Sequence, residues 1–394
     1  MSYLGTVLSS FPQAQAAAET VLETVLNVKR IERLTERIGA ERVAERDAAV
    51  RAWRQRPLVE KEQSPAHVKA PQLAVLMPDG GRMQLREPNP DGSTHWFEYK
   101  AGCLLEMEGQ THAADPCPEL PELFRQRERM AQLTRQIGRK SADLRAGPDA
   151  AAPQPVETPE SPAADFPQPP QVVSRDVVAT SRNSEEFGPM LAARAWELGL
   201  FGSPRKACVG DGGGWIWTVW KNYFKPFGFV AILDFIHALT YVYAAATADR
   251  TAAAGWPVYV RWIAWVWQGE VSRVIVELAR RQQELGPPSD DDGCGSPRRI
   301  VRDALTYLQN QQSRMDYPEY RRQGLPITSS HIESTNKLLN HRVKGTEKFW
   351  SRRGVEAMLQ MKADTLSDTA PLEKFWRERP QRMTGCRNYA KAAA

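Results

Sequence analysis

Apolar and polar positions divide the chain into stretches of different period. Over 12–64, Ala, Glu, Arg and Gln surround apolar residues at helical spacing, among them Val21, Val25, Val28 and Ile31, predicting one or two amphipathic helices. The run PQLAVLMPDGGRMQLRE (71–87) then gives an apolar stretch, a turn at Asp79-Gly80-Gly81, and alternation through Met83 and Leu85, the pattern of a hairpin. THWFEYKAGCLLEME (94–108) supplies a third strand, so the segment reads as an antiparallel meander. A polar helix follows over roughly 119–145, and Pro148 to Pro170 holds eight prolines in twenty-three residues, a composition that packs no core and reads as linker or exposed insertion.

Regular patterning returns with SEEFGPMLAARAWELGL (184–200), a helix with Ser184 as N-cap. RKACVGDGG (205–213) is a short buried strand ending in a turn, WIWTVWKNYF (215–224) a helix, and GFVAILDFIHA (228–238) an apolar strand running into a helix. Residues 239–320 read as helical apart from the acidic loop GPPSDDDGCGSP (286–297), and a last helix begins near Glu333. A meander followed by β-α units predicts an α/β fold, a mixed sheet with helices packed on it.

Bulk properties narrow the picture modestly. The 394 residues, 42% of them hydrophobic, suffice for two or three domains, and a net charge of +5 permits a polyanionic partner. Cys103, Cys117, Cys208, Cys294 and Cys386 form no CxxC pair, which argues against a disulfide framework or a cysteine zinc site and suits a reducing cytoplasm. No signal-peptide pattern opens the chain. The apolar stretches 228–246 and 255–268 carry Asp234, His237 and Arg261, so both are expected in a protein core rather than a bilayer.

The chemistry-bearing motifs of common hydrolases and nucleotide-binding folds (GxSxG, Walker A, GxGxxG, HExxH) are absent, and GDGGGW (210–215) lacks the Lys-Ser/Thr of a phosphate loop. Asp290, Asp291 and Asp292 lack EF-hand spacing and read as a solvated loop. What remains is a set of acids at strand ends. Asp79 precedes two glycines and Asp211 three, leaving room for a divalent cation and its ligand, although Asp-Gly is also ordinary turn chemistry. Asp234 lies inside an apolar run and needs a partner, for which His237 is placed, as a structural pair or as support for an active site. Glu333 stands ahead of a stretch, 337–353, with six Lys or Arg and one acid. It reads either as a surface acid paired with Lys337 or as a metal-binding carboxylate aimed at a phosphodiester held by those cations.

Four blocks in order resemble the DDE transposases of bacterial insertion sequences, most closely the ISKra group and more distantly the Mutator-like enzymes. They are PDGGRMQLRE with WFEYKAG, VGDGGGWIW, ILDFIHALTYVYAAA, and GLPITSSHIESTNKLLNHRVKGTEKFWSRRGVEAML, spanning roughly 71–376. The resemblance implies an RNase H-like mixed sheet with flanking helices and an all-helical insertion domain. It divides the chain into an N-terminal helical region (1–65), a first RNase H-like part (66–110), a helix with the proline-rich insertion (111–182), a second part (183–238), the helical insertion (239–322), the Glu helix with its basic segment (323–376) and a tail (377–394). It implies a catalytic, metal-binding triad of Asp79, Asp211 and Glu333, with Asp234 and His237 auxiliary.

Such a triad holds two Mg²⁺ ions, with Mn²⁺ as substitute, about 3.5–4 Å apart for phosphodiester cleavage and strand transfer. Lys337, Arg342, Lys344, Lys348, Arg352 and Arg353 become phosphate contacts, and Trp350 a core or base-stacking residue. The partner is double-stranded DNA, bound by a homodimer or higher oligomer in a cytoplasmic, nucleoid-associated setting. Related transposases carry an N-terminal DNA-recognition region, often with paired cysteines, and residues 1–64 show none. An RNase H-like nuclease without strand transfer and a non-catalytic or decayed DNA-binding remnant are the alternatives.

Overall fold

The computed structural model describes residues 1–88, 92, 94–136 and 169–382. The expected linker lies outside these except for Pro169 and Pro170, as do the end of the expected 119–145 helix and Cys386. The chain begins with helices α1 (Ser2–Val7), α2 (Phe11–Leu22), α3 (Val28–Gln55) and α4 (Leu58–Glu62). Strands β1 (Leu73–Leu85) and β2 (Trp96–Glu108), helix α5 (Arg127–Gln136) and strand β3 (Gln171–Thr180) come next. Then follow α6 (Ser184–Glu197), β4 (Arg205–Gly210), α7 (Gly214–Tyr223), β5 (Val230–Leu233) and α8 (Phe235–Thr247). Helices α9 (Ala252–Trp267), α10 (Val271–Leu285), α11 (Pro297–Gln311) and α12 (Tyr317–Arg322) form the expected helical block. Helix α13 (Ser330–Val343), strand β6 (Phe349–Trp350), α14 (Arg352–Leu366) and α15 (Pro371–Arg382) end the described chain.

One mixed sheet organises these elements. Its order is β3-β2-β1-β4-β5, with β6 also on β1; β1, β2 and β3 are antiparallel, and β4 and β5 continue parallel to β1. Alternation along β1 separates two faces. Leu73, Val75, Met77, Met83 and Leu85 enter a large core with α8, α13, α14 and the helical block, while Ala74 and Leu76 join α6 and α7 on the other face.

Four expectations need correction. Asp79-Gly80-Gly81 makes no turn: β1 runs unbroken through it, with Gly81 opposite Tyr99 on β2. A Cβ at Gly81 would sit 2.0 Å from Tyr99 Cζ, so this glycine answers to the ring laid across it rather than to a reversal of the chain. The third antiparallel strand is β3, outside the 66–110 segment that holds only β1 and β2. The spacing of Val21, Val25, Val28 and Ile31 forms no single stripe, because Glu23 turns left-handed (φ 48°) between α2 and α3 and leaves Val21 and Val25 75% and 83% exposed. The N-cap of α6 is Asn183, whose side chain accepts from Glu186 N at 3.0 Å, with Ser184 the first helical residue.

The acidic loop turns Asp292 inward onto Ser289 N and Ser296 Oγ (2.7 and 2.8 Å). Cys103, Cys117 and Cys208 form no disulfide. Among the described residues, no helix is long and apolar enough to cross a membrane.

Candidate metal centre

The sheet leaves a gap where the acids gather. β4 pairs with residues 73–76 of β1 and β6 with 84–85, so among the described residues 77–83 have no strand on that side. Asp79 sits in this open stretch and interrupts the apolar stripe of the large core. Its Oδ1 accepts from Gly80 N and its Oδ2 from Asn336 Nδ2 on α13, each at 2.7 Å. Asp211 follows the last residue of β4 and accepts from Gly213 N at 2.9 Å, opening α7. The intervening Gly212 adopts φ +99°, a region closed to most side chains, and lies against the ring of Tyr307.

Glu333 projects from the first turn of α13. That helix is docked through its leading loop: Phe235 N donates to Ile327 O at 2.9 Å, and Ser329 donates through N (3.2 Å) and Oγ to Asp234 Oδ2. Asp234, 1% exposed, caps α8 by accepting from Ile236 N at 2.7 Å and holds His237 Nδ1 at 3.1 Å. The partner expected for this buried acid is therefore in place, and Ser329 is a second. Potential ligand atoms of Asp234, His237 and Glu333 lie within 4.8 Å of one another, the one such group of three found among the described residues that could hold a metal ion.

Electrostatics tie all five residues into one cluster. Burial and the nearby Asp211 charge push Asp79 up to about 7, against the opposing pull of Gly80 N–H, Asn336 and His237. Burial, then Asp234 and Asp211, raise Glu333 above the ordinary glutamate range, opposed by His237 and Lys337. Burial disfavours charge on His237, but the Asp234 hydrogen bond and the charges of Asp234, Asp211 and Glu333 outweigh it and push the imidazole up to about 9. Asp234 is held below the usual range because His237, Ser329 and Ile236 N–H overcome its burial. Among the described residues no Lys or Arg forms an ion pair with Asp79, Asp211 or Glu333.

The Asp211 charge raises the proton affinity of both Asp79 and Glu333, so the three carboxylates form a donor set that could hold a hard divalent cation. Asp79, Asp211 and Glu333 offer oxygen only, and all three are partly exposed, hence reachable. His237, bonded to Asp234 through Nδ1, belongs with Asp234 and Glu333 to a group that could hold a metal ion, and without one its imidazole is pushed up to about 9.

The six expected phosphate contacts separate into two kinds. Lys337, Lys344, Arg352 and Arg353 are exposed. Arg342 is not available to a phosphate: it is 1% exposed, donates Nε to Gly5 O at 3.0 Å and lies over the rings of Phe11 and Trp350. Lys348 folds back to donate to the carbonyls of His341 and Arg342 (3.0 and 3.4 Å), closing the end of α13. Trp350 is buried and donates Nε1 to Val343 O at 2.9 Å, a core residue. The supporting contacts of Asn336, Tyr307 and Ser329 escape motif reading, although Asn336 stands one helical turn after Glu333 and shares its face.

No protein-family model and no curated protein matches this chain.

Proposed function

We propose that this protein is a metal-dependent DNA transposase of the DDE kind, cutting and joining phosphodiesters with Asp79, Asp211 and Glu333. The observation that carries the reading is that the Asp211 charge acts on both Asp79, in the open stretch of β1, and Glu333, which brings three carboxylates distant in sequence into one electrostatic neighbourhood. The strand order, three antiparallel strands continued by two parallel ones, is the arrangement expected of an RNase H-like sheet, with the helical block falling between Asp211 and Glu333.

Asp79, Asp211 and Glu333 would hold two Mg²⁺ or Mn²⁺ ions, which supply charge neutralisation at phosphorus and activation of the attacking hydroxyl. The chain itself holds Asp79 by two donors, fixes Asp211 at the head of α7, and keeps the Asp234-braced His237 beside Glu333. Exposed Lys337, Lys344, Arg352 and Arg353 would neutralise backbone phosphates of double-stranded DNA without reading sequence.

A strand-transfer assay on labelled element ends with Mg²⁺, comparing wild type with Glu333→Gln, tests the reading. Joined products from wild type and none from the variant are expected. Equal joining by both would end the assignment of Glu333, and cleavage without joining would favour a nuclease.

A further inference from the structure

We propose that Asn336 is a positioning residue: by tying α13 to Asp79, it sets the spacing between Asp79 and Glu333, and with it the affinity of the carboxylate set for a divalent cation. This rests on the metal-site reading above and goes beyond it by naming what sets the geometry.

Glu333 and Asn336 are three residues apart on α13 and project from one face. Asn336 is 6% exposed and donates Nδ2 to Asp79 Oδ2 at 2.7 Å. Nδ2 is the donor end of the amide, so this bond fixes which way the amide points. The amide oxygen is thereby turned to Tyr99, whose hydroxyl lies 3.3 Å from it and 3.0 Å from Asn340 Oδ1 on the next turn. Tyr99 in turn lies across Gly81, where no Cβ displaces its ring. A continuous line, Gly81 to Tyr99 to Asn336 to Asp79, thus joins β1, β2 and the Glu333 helix.

The geometry also leaves Asp79 able to bind. Each carboxylate oxygen carries two lone pairs; Gly80 N–H takes one on Oδ1 and Asn336 one on Oδ2, so each oxygen keeps one free. Groups that orient metal-binding side chains in this way contribute about 10–100-fold in metal affinity.

The test is Mn²⁺ binding to the purified full chain, followed by electron paramagnetic resonance of the free ion. Asn336→Leu keeps the volume of the side chain and removes its donor. It is expected to bind Mn²⁺ about 10–100-fold more weakly, with the wild-type plateau regained at higher Mn²⁺, a recovery that general loss of packing would not give. Tyr99→Phe, which leaves the ring over Gly81, is expected to show a smaller loss in the same direction, and Ser334→Ala on the exposed side of α13 none. Wild-type affinity in a folded Asn336→Leu overturns the proposal; if that variant does not fold, wild-type affinity in Tyr99→Phe does so. The metal-site reading fails separately, and this inference with it, if wild type binds no Mn²⁺ or if Asp79→Asn binds it undiminished.

Discussion

Tyr307 of α11 donates its hydroxyl to the main-chain carbonyl of Asp211 at 2.7 Å, so the helical block reaches back to grip the loop that carries the second carboxylate. Gln311 adds a bond to Gly212 O at 3.2 Å, and Tyr241 of α8 stacks on Tyr307 with ring centroids 3.7 Å apart. Tyr307→Phe should keep the stack and lose one hydrogen bond, about 1 kcal/mol of stability. Gly212→Ala should cost more, because φ +99° disfavours a side chain and the new Cβ would sit 2.6 Å from the Tyr307 ring. Urea unfolding of the two variants checks the order.

Replacing Asp79 by Asn should stabilise the metal-free protein. Burial and Asp211 hold the Asp79 carboxyl near 7, so its charge is opposed in the folded state, and each pKa unit corresponds to about 1.4 kcal/mol. In EDTA, Asp79→Asn is expected to melt above wild type; in Mg²⁺ the wild type should gain stability and the variant little. Differential scanning calorimetry with and without Mg²⁺ reads both. An unchanged melting point in EDTA would mean that the acids do not strain the fold.

Glu356 gives a pH dependence of known sign. Burial opposes its charge, but Arg46 (2.9 Å) and the hydroxyl and amide donors of Thr180 and Ser181 prevail, so its folded pKa lies below the ordinary 4.5. The stability it contributes is present above 4.5 and is lost as pH falls through the lowered folded value. Glu356→Gln should cost about 3 kcal/mol at pH 7, and the gap to wild type should narrow below pH ~4.5. Denaturant titrations at pH 7 and pH 3.5 make the comparison; a gap that widens in acid would reverse the sign.

The basic segment should divide by function. Arg352→Ala and Lys344→Ala should each lower the slope of log binding constant against log salt by about 0.9 on duplex DNA with little change in stability. Arg342→Ala should leave that slope unaltered and destabilise the fold, since the guanidinium packs on Phe11 and Trp350 and bonds Gly5. Filter binding from 50 to 200 mM salt, with melting curves beside it, separates the two classes.

Local pattern made part of this legible. β2, β4, α7 and the β5–α8 junction follow from alternation and helical period, and an acid inside VAILDFIHA demanded the partner that His237 provides. Two misreadings share a cause: a local motif answered to a distant neighbour. Asp79-Gly80-Gly81 is good turn chemistry, but its glycine serves Tyr99 on another strand. β3 was obscured by the proline-rich run before it, and its ladder partner is β2. Arg342 is a different case, because the signal was present. Ile332, Thr335, Leu339 and Arg342 follow one another at three- and four-residue steps, so the buried stripe of α13 already included it.

The bonds that anchor the amino-terminal helices also dictate when the molecule can be finished. Arg342 meets Gly5, Arg46 meets Glu356 and Arg42 meets Asp364 across 337, 310 and 322 positions of sequence. At a synthesis rate of about 5–20 residues per second, α1 to α3 leave the ribosome roughly 15–70 seconds before their partners exist. For that interval the nascent chain carries helices without their docking surface and no assembled carboxylate cluster, since Glu333 emerges in the same late stretch. Folding of the centre is thereby confined to chains translated almost to completion, and a product that stops short of α13 has neither the site nor the surface that shelters its first helices.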